Sequence, residues 1–289
     1  MSIVYREIHV PDEGFRLLKN DLSIMIRSSA VSDRLTEEEM IVFANAFSDF
    51  YADIKGYKIL RIGDGTVTRP QDFIRPNDGD IIKYVSRETY DLIREGTIQL
   101  GSCEYYRNAD GLSIHDPREG DYTFFIAHGM KQFQASIRAG GNCFLLCGTE
   151  MCTGERDEYM RERHGRVKIR INNVDNFAEM ICRKIGAVSY KFYNVIYSDS
   201  KAFVIEDQIC DRIRATIGLE DISDRKLHHF NKRFFDFFYK MGMLGSMFIK
   251  PEIYRGELER RLVFEFSKDI NIEKIIVKDD EINDYVEMI

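Results

Sequence analysis

Signals for export and for membrane insertion are missing from this sequence. Residues 1–10 carry charges and no long apolar core, so they do not resemble a secretory signal peptide. No apolar run approaches the roughly 18 residues needed to span a membrane. The six cysteines are spread along the chain, which indicates reduced thiols rather than a disulfide framework. We therefore expect a cytoplasmic protein that has no membrane partner.

Motifs of several common enzyme classes are also absent. The sequence contains no GxxxxGKS/T phosphate loop, no HExxH zinc motif and no GxSxG nucleophile elbow. It lacks the regular strand–helix alternation and the glycine fingerprint of a doubly wound nucleotide-binding fold. Cys143, Cys147 and Cys152 match no CxxC spacing, so we expect buried thiols and no metal site. These absences exclude P-loop hydrolases, zincins and α/β-hydrolases.

Charge is distributed unevenly along the chain. The formal net charge is −7, which argues against a uniformly basic nucleic-acid binder. Residues 225–261 nevertheless hold nine Lys and Arg against four Asp and Glu, whereas residues 267–289 hold three Lys against seven acids. The basic block could steer an anionic ligand. A solvated basic face beside an acidic tail explains the same pattern.

Apolar periodicity predicts an α+β fold with short strands and interspersed helices. We expect strands at residues 2–10, 81–85, 97–101, 123–127, 132–137, 142–147, 167–171 and 188–197, and helices at 14–26, 37–54, 86–95, 153–164, 174–185, 203–217 and 227–243. Gly140-Gly141 predicts a hairpin turn, and Ser102–Asp121 predicts a long polar loop. The turn-rich segment Pro70–Asp80 predicts a boundary between residues 1–80 and 81–289.

The stretch Lys250–Phe266 is the one around which the chain is organised, and it ends in the alternation of a half-buried strand. In a strand of period two, Glu257, Glu259 and Arg261 share one face. One interpretation is a carboxylate pair aimed into a cleft and tuned by an arginine. A solvated edge strand carries such charges equally well. We expect Glu259 to lie outside the core, so that Glu259→Gln leaves folding nearly unaffected.

Four motifs stand in a fixed order along the chain: Lys83-Tyr84; Leu100-Gly101-Ser102 with Tyr105-Tyr106-Arg107 and Asp116-Pro117-Arg118-Glu119-Gly120; the strand Asn142–Cys147; and Lys250 with Glu257–Leu262. This order resembles a widespread bacterial family of uncharacterised domains often found among phage-defence genes. That family is distantly similar to the ADP-ribosyltransferase toxins. The resemblance covers residues 81–266. The chain departs from the better-known patterns because it has no Ser-Thr-Ser strand and has Tyr84 where many transferases have His or Arg.

The resemblance implies a mixed, mostly antiparallel split sheet around an NAD cleft, with flanking helices. Residues 81–289 would form the ADP-ribosyltransferase-like domain and residues 1–80 an N-terminal accessory lobe. Glu259 would face the ribosyl cation, and Glu257 would orient or deprotonate the acceptor. The residues implied in binding NAD, by ring stacking, close backbone approach and a pyrophosphate contact from the arginine, are Tyr84, Gly101, Ser102, Tyr105, Tyr106 and Arg107. Glu119 is a weaker candidate.

The implied activity is transfer of ADP-ribose from NAD to an intracellular target, RNA, single-stranded DNA or protein, in phage defence or a toxin–antitoxin system. An antitoxin or chaperone is then an expected partner. One alternative is a metal-dependent nuclease with Glu257 and Glu259 as ligands, which requires a nearby lysine and a further acid on an adjacent strand. Another is a non-enzymatic binding module whose helix 37–54 docks a partner.

Overall fold

A computed structural model of the 289-residue chain describes residues 5–10, 13–18, 23–25, 79–109, 116–128, 131–138, 140–197, 202–204, 247–267 and 270–289. For 5–25, 122–138 and 202–204 it describes the backbone alone. The helices predicted at residues 37–54 and 227–243 lie outside the described residues, as does nearly all of the helix predicted at 203–217.

The described part of the chain contains short strands and four α-helices. The strands are β1 Tyr5–Val10, β2 Glu13–Leu18, β3 Ser23–Met25, β4 Ile81–Val85, β5 Thr97–Ser102, β6 Asp121–His128, β7 Lys131–Arg138, β8 Cys143–Thr149, β9 Val167–Ile171, β10 Ser189–Asn194, β11 Ile196–Tyr197, β12 Ala202–Val204, β13 Ile249–Lys250, β14 Glu259–Glu265, β15 Lys274–Lys278 and β16 Val286–Met288. The α-helices are α1 Arg87–Arg94, α2 Cys103–Asn108, α3 Glu155–His164 and α4 Val174–Ile185, and two 3₁₀ helices span Glu252–Glu257 and Asp280–Asp284.

The chain divides into two compact units, each assembled from three segments. The first unit consists of Met1–Asp72, Gly120–Ala139 and Ser198–Ile249. Its sheet has the order β1-β2-β3-β7-β6-β12, in which the β3–β7 and β6–β12 pairs are parallel and the others antiparallel. The described strands of the first 80 residues therefore share a sheet with later strands. The short helix predicted at residues 14–26 is wrong, because Glu13–Leu18 pairs along its whole length with β1.

The second unit consists of Phe73–Glu119, Gly140–Tyr197 and Lys250–Ile289. Its main sheet runs β10-β14-β8-β4-β9-β16, with β5 paired to β8 and β15 paired to β5, and every pair of neighbours is antiparallel. The α+β class and the mostly antiparallel sheet are confirmed. One edge of β8 pairs with two strands, since Leu145 lies opposite β5 and Thr149 lies opposite β4.

The core of the second unit lies between α4 and the sheet. Phe177, Ala178 and Ile181 of the helix are fully buried against a cluster that includes Leu146 and Phe264. These helix positions recur at spacings of one, three and four residues, which places them on one face. The apolar period therefore fixes which side of α4 faces the sheet.

Local sequence signals explain several helix ends. The Ser86 hydroxyl accepts a hydrogen bond from Thr89 N at 3.2 Å and so caps α1, and Gly96 follows the helix with φ +73°. The Ser102 hydroxyl caps α2 in the same way, accepting from Tyr105 N at 3.0 Å. The long loop predicted from Ser102 to Asp121 is therefore wrong in its first part, which is a helix.

The hairpin predicted at Gly140-Gly141 is also wrong. A turn is present there, since Cys143 N donates to the Gly140 carbonyl at 3.1 Å. However, β7 and β8 belong to different sheets and do not pair. A double glycine specifies a turn but not which strands pair beside it. Within the described residues, no helix combines the length and apolar character needed to cross a membrane.

Candidate functional site

A cavity lies where β4 and β5 diverge from the shared edge of β8 in the second unit. Cys147 and Gly148 line it, between the positions on β8 that pair with the two strands. The rings of Tyr84 and Tyr106 contribute to its wall. Its remaining polar lining is mostly charged: Lys83, Glu119, His164, Lys250, Glu257, Glu259 and Arg261. The split in the sheet therefore opens onto a concentrated set of ionisable groups.

Gly148 allows β4 to pass close to β8 at this point. A Cβ atom at Gly148 would meet the side chain of Ile81 and would lie 2.6 Å from the Ile82 carbonyl oxygen. Real Cβ atoms do not approach other atoms so closely, so only glycine fits without a shift of β4. The same contact set includes the side chain of Lys83 at 3.3 Å. Gly148 therefore helps to place Lys83 in the cavity.

Glu257 and Glu259 do not lie on one continuous strand. Glu257 ends the 3₁₀ helix, and β14 begins at Glu259. Leu258 joins them in the left-handed conformation, with φ +42° and ψ +51°. The predicted strand geometry is thus wrong for Glu257, because a left-handed residue breaks the alternation of side chains. Such backbone is rare for a leucine and marks a strained junction.

Glu259 and Arg261 form the buried centre of the site. Arg261 Nε donates to Glu259 Oε1 at 2.6 Å, and its two terminal nitrogens donate to Glu119 at 2.6 and 2.8 Å. The Arg261 and Glu119 side chains are only 2% and 1% exposed. Lys250 Nζ donates to the other Glu259 oxygen at 2.8 Å. Opposite charges at these distances with so little water interact strongly, so this cluster holds Glu259 in one place.

Glu257 continues the same chain of charges toward the surface. Lys250 Nζ donates to Glu257 Oε2 at 3.1 Å, so one ammonium group bridges both carboxylates. Arg163 Nε, at the end of α3, donates to Glu257 Oε1 at 3.2 Å. The Arg163 side chain is 26% exposed, whereas that of Glu257 is 6% exposed. Acidic and basic groups therefore alternate from buried Glu119 to partly exposed Arg163.

The two carboxylates have pKa values displaced in opposite directions. Burial favours the protonated form of Glu259, but the charges of Arg261 and Lys250 outweigh it and hold the pKa of Glu259 well below its usual range. Burial raises the pKa of Glu257 above its usual value, and the attraction of Lys250 offsets this only in part. Glu259 is therefore a fixed anion, and Glu257 is the acid of the pair that holds a proton more readily.

Other cavity groups are also perturbed by their surroundings. Burial lowers the pKa of Lys83 and, with the nearby charge of Arg163, lowers the pKa of His164 to about 4. Burial and the Glu259 charge raise the pKa of the Cys147 thiol to about 12. His164 and Cys147 are thus neutral at pH 7.

The burial of Glu259 corrects one expectation from the sequence. Glu259 is 5% exposed and carries two ion pairs, so it belongs to the core of the site. The expectation that Glu259→Gln leaves folding nearly unaffected does not hold, because the change removes the anion that compensates two buried cations.

The residues predicted to bind NAD lie in two groups. Tyr84 and Tyr106 line the cavity, and the Tyr84 hydroxyl donates to Asp157 Oδ1 at 2.6 Å. Tyr105 packs edge-on against Tyr106, with ring centroids 5.3 Å apart. Tyr105 and the remaining three predicted residues, Gly101, Ser102 and Arg107, do not line the cavity.

The supporting contacts of this second group are specific. A Cβ at Gly101 would lie 2.7 Å from the Tyr105 ring and 2.8 Å from the Tyr106 ring, so glycine lets both rings pack on β5. The Ser102 hydroxyl caps α2, which carries both tyrosines. Arg107 Nη1 donates to the Glu119 carbonyl at 2.7 Å and so ties down the segment that carries Glu119.

The sequence pattern assigns no site role to Lys83, Lys250, Arg163 or His164. Lys83 and Lys250 stand inside the motifs that carry the resemblance, but the resemblance implies no role for them. Arg163 and His164 lie in a charged helix whose pattern predicts a solvated face. A useful signal was available for Lys250 alone, because it stands in the basic block immediately before the two glutamates. Glu119, the weaker candidate, lines the cavity.

The requirements of the nuclease alternative are met only in part. Lys250 is the nearby lysine, and Glu119 is a further acid in the cavity. However, each carboxylate oxygen of Glu257 and Glu259 accepts a hydrogen bond from a lysine or arginine. Within the described ranges, no three His, Cys, Asp or Glu side chains are grouped so that they could hold a metal ion. The carboxylate oxygens of Glu257 and Glu259 therefore serve as hydrogen-bond acceptors for lysine and arginine side chains rather than as metal ligands.

Comparison of the chain with models of protein families, with curated proteins and with solved structures gives no match.

Proposed function

We propose that this protein is an ADP-ribosyltransferase that uses NAD as its substrate. The observation that carries the proposal is the pairing of a fixed carboxylate anion, Glu259, with a second carboxyl of raised pKa, Glu257, in one cavity of a split antiparallel sheet. Glycosidic chemistry needs two carboxyl groups with different tasks, and their surroundings assign those tasks.

Glu259 has the properties needed to stabilise the ribosyl cation. When the C1′–N bond of NAD breaks, its electron pair leaves with nicotinamide and positive charge develops on the ribose. A carboxylate that is already fixed beside this charge lowers the barrier without reorganising. Arg261 and Lys250 hold Glu259 in its ionised form and in one position. We assign it the electrostatic role.

Glu257 has the properties needed to accept the proton of the acceptor. The acceptor's lone pair forms the new bond to C1′, and its proton must pass to a base. A carboxylate whose pKa is raised above its ordinary value is a stronger base than an ordinary carboxylate. Glu257 is the only one of the two acids displaced in that direction. The rings of Tyr84 and Tyr106 offer stacking surfaces for nicotinamide or adenine.

We propose the acceptor only as a chemical class, an intracellular macromolecule that carries a nucleophile. RNA, single-stranded DNA and an intracellular protein each present a nucleophile that Glu257 could deprotonate. The resemblance to phage-defence domains favours a nucleic-acid target and a toxin controlled by an antitoxin or chaperone. A nuclease is the less favoured candidate, because no three His, Cys, Asp or Glu side chains among the described residues are grouped so that they could hold a metal ion.

The test is release of nicotinamide from NAD by the purified protein, offered RNA, single-stranded DNA or cell lysate in separate reactions. Glu257→Gln should lower the rate about 10²- to 10⁴-fold, the range expected for loss of a general base. Glu265→Gln is the matched control, since Glu265 lies on β14 and pairs with Lys191 outside the cavity. Mg²⁺-dependent cleavage of nucleic acid without NAD consumption would replace the proposal with the nuclease, and equal NAD turnover by Glu257→Gln would remove Glu257 from the mechanism.

A further inference from the structure

One cationic side chain that lines the cavity forms no ion pair with a carboxylate of the described residues. The lining includes three carboxylates, Glu119, Glu257 and Glu259, and three cationic side chains, Lys83, Lys250 and Arg261, while Arg163 contacts Glu257 from α3 without lining the cavity. Arg163, Lys250 and Arg261 are each paired with at least one of these acids. Among the described residues, Lys83 is therefore the lining cation that is paired with none of these acids.

Among the described residues, Lys83 makes a single hydrogen bond, and its partner is a neutral group. Its Nζ donates to the Cys147 carbonyl, on the stretch of β8 between the two diverging strands. No carboxylate among the residues that the structure describes forms an ion pair with it, although Glu259 is near enough to attract it electrostatically. An ammonium group has three donors, so this lysine has capacity for a ligand. A half-buried cation without a carboxylate partner is costly unless an anion joins it.

We propose that Lys83 forms an anion subsite of the cavity and binds a phosphate oxygen of a pyrophosphate group. Lysine is a common phosphate ligand and acts as a compact point charge. Arg107, which the sequence suggested for the pyrophosphate, does not line the cavity and is held at the Glu119 carbonyl. Lys83 is the cavity cation that a ligand can engage without breaking an ion pair between described residues.

The position of the subsite deepens the proposed function. Lys83 lies on β4, and Glu259 lies on β14, on the opposite side of β8. A pyrophosphate at Lys83 would place the attached ribose within the same cavity as Glu259. The assignment of that pyrophosphate to NAD rests on the proposed function, whereas the binding of an anion does not require turnover.

Calorimetric titration of the full chain with three probes tests the subsite. ADP-ribose and inorganic pyrophosphate carry the anion, and nicotinamide riboside carries none. For Lys83→Met we expect the dissociation constants of ADP-ribose and pyrophosphate to rise about 10- to 100-fold, as for loss of a charge-assisted hydrogen bond, with that of nicotinamide riboside unchanged. Lys83→Arg should retain most of the affinity. Lys278→Met, at an exposed position on β15, is the control and should bind like the wild type.

Each result bears on the proposal. Loss of affinity for the two anionic probes in Lys83→Met, with retention in Lys83→Arg, supports the subsite. Equal binding of ADP-ribose by the wild type and Lys83→Met overturns it, as does failure of the wild type to bind either anion. A single-stranded oligonucleotide serves as a further probe. If Lys83→Met binds this oligonucleotide more weakly but binds ADP-ribose and pyrophosphate like the wild type, the assignment to pyrophosphate is overturned. If binding of the anionic probes depends on Lys83 but the protein releases no nicotinamide from NAD, the subsite is supported and the transferase proposal is overturned. The two proposals can therefore fail separately.

Discussion

At the scale of single residues, Arg261 decides the character of the site. Its Nε is hydrogen-bonded to Glu259 and its two terminal nitrogens to Glu119, in the planar fork geometry that only arginine provides. Because all three groups are buried, each charge depends on the others for compensation. The structure therefore couples the acid proposed for catalysis to an acid in a turn 140 positions away in sequence.

Replacement of Glu259 by Gln should destabilise the fold. The change leaves Arg261 and Lys250 without one of their anions, and loss of one partner from a buried ion pair costs about 3–5 kcal/mol. Chemical denaturation of both proteins measures the difference. Because the folded-state pKa of Glu259 is lowered, its stabilisation is complete above the ordinary glutamate value of about 4.3 and is lost as the pH falls toward the folded value.

The matched control is Glu265→Gln, which removes a half-buried ion pair with Lys191 farther along β14. It should cost no more than about 1 kcal/mol. Equal stability of Glu259→Gln and the wild type at pH 7 would mean that the buried network is not formed in solution.

Arg163, which contacts Glu257 without lining the cavity, should influence the pKa of Glu257. Its guanidinium lowers the pKa of Glu257, together with Lys250, while burial and Glu259 raise it. Tyr197 and Tyr254 also face this carboxyl, and burial keeps both as neutral phenols at pH 7. Arg163→Met should therefore move the pKa of Glu257 upward. If Glu257 must be ionised to accept a proton, the acidic limb of the pH–rate profile should move to higher pH.

Carboxyl ¹³C NMR titration of Glu257 tests the same shift without any activity. Arg166→Met is the control, because Arg166 follows α3 and forms an ion pair with exposed Glu158 of that helix rather than with Glu257. An unchanged Glu257 titration in Arg163→Met would show that Arg163 has no part in tuning the site.

At the scale of elements, the approach of β4 to β8 depends on Gly148. Gly148→Ala should force β4 away, because the added methyl group would contact Ile81 and the Ile82 carbonyl. Overpacking of this kind costs about 1–3 kcal/mol. Lys83 moves with β4, so ADP-ribose binding should weaken as well. Gly256→Ala is the control, since its nearest contact would be the Tyr159 ring at 3.9 Å. Equal stability of Gly148→Ala and Gly256→Ala would show that the strand spacing is not set at this position.

Elements with strong local signals were predictable from the sequence. The helix at residues 174–185 has a clear apolar face and a glycine after its last residue, and its predicted and observed bounds agree. The strands β4, β8 and β9 are short apolar runs between turn signals, and their predictions are confirmed. Tertiary pairing was not predictable: residues 13–18 have a pattern that predicts a helix, yet they form a strand that pairs with both β1 and β3.

The candidate site was predictable in its acids but not in its cations. Glu257 and Glu259 were identified by the charges that interrupt a strand pattern. Their convergence on Lys250 depends on the left-handed backbone at Leu258, which leucine rarely adopts and which no pattern signals. The contact of Arg163 with Glu257 joins residues 94 positions apart, and local patterns carry no information at that range.

At the scale of the whole chain, both units are discontinuous in sequence. The first unit combines the N-terminal strands with β6, β7 and β12, and the chain passes through the second unit between them. The segment Pro70–Asp80 is rich in turn residues and so predicts a boundary, and the first segment of the first unit ends at Asp72. Composition can mark where the chain leaves a unit, but it does not show that the chain later returns.

Removal of residues 1–80 should therefore disrupt the first unit. The truncated chain 81–289 lacks β1–β3, and β7 loses its parallel partner β3 and presents an unpaired edge. Unpaired edges promote association between chains. We expect the 81–289 chain to aggregate or to lose one thermal transition, as measured by light scattering and calorimetry. A shorter truncation that begins at Tyr5, the first residue of β1, is the control and should behave like the full chain. If 81–289 is monomeric, unfolds cooperatively and binds ADP-ribose like the full chain, residues 1–80 are a dispensable accessory lobe and the β3–β7 pairing contributes little to the fold.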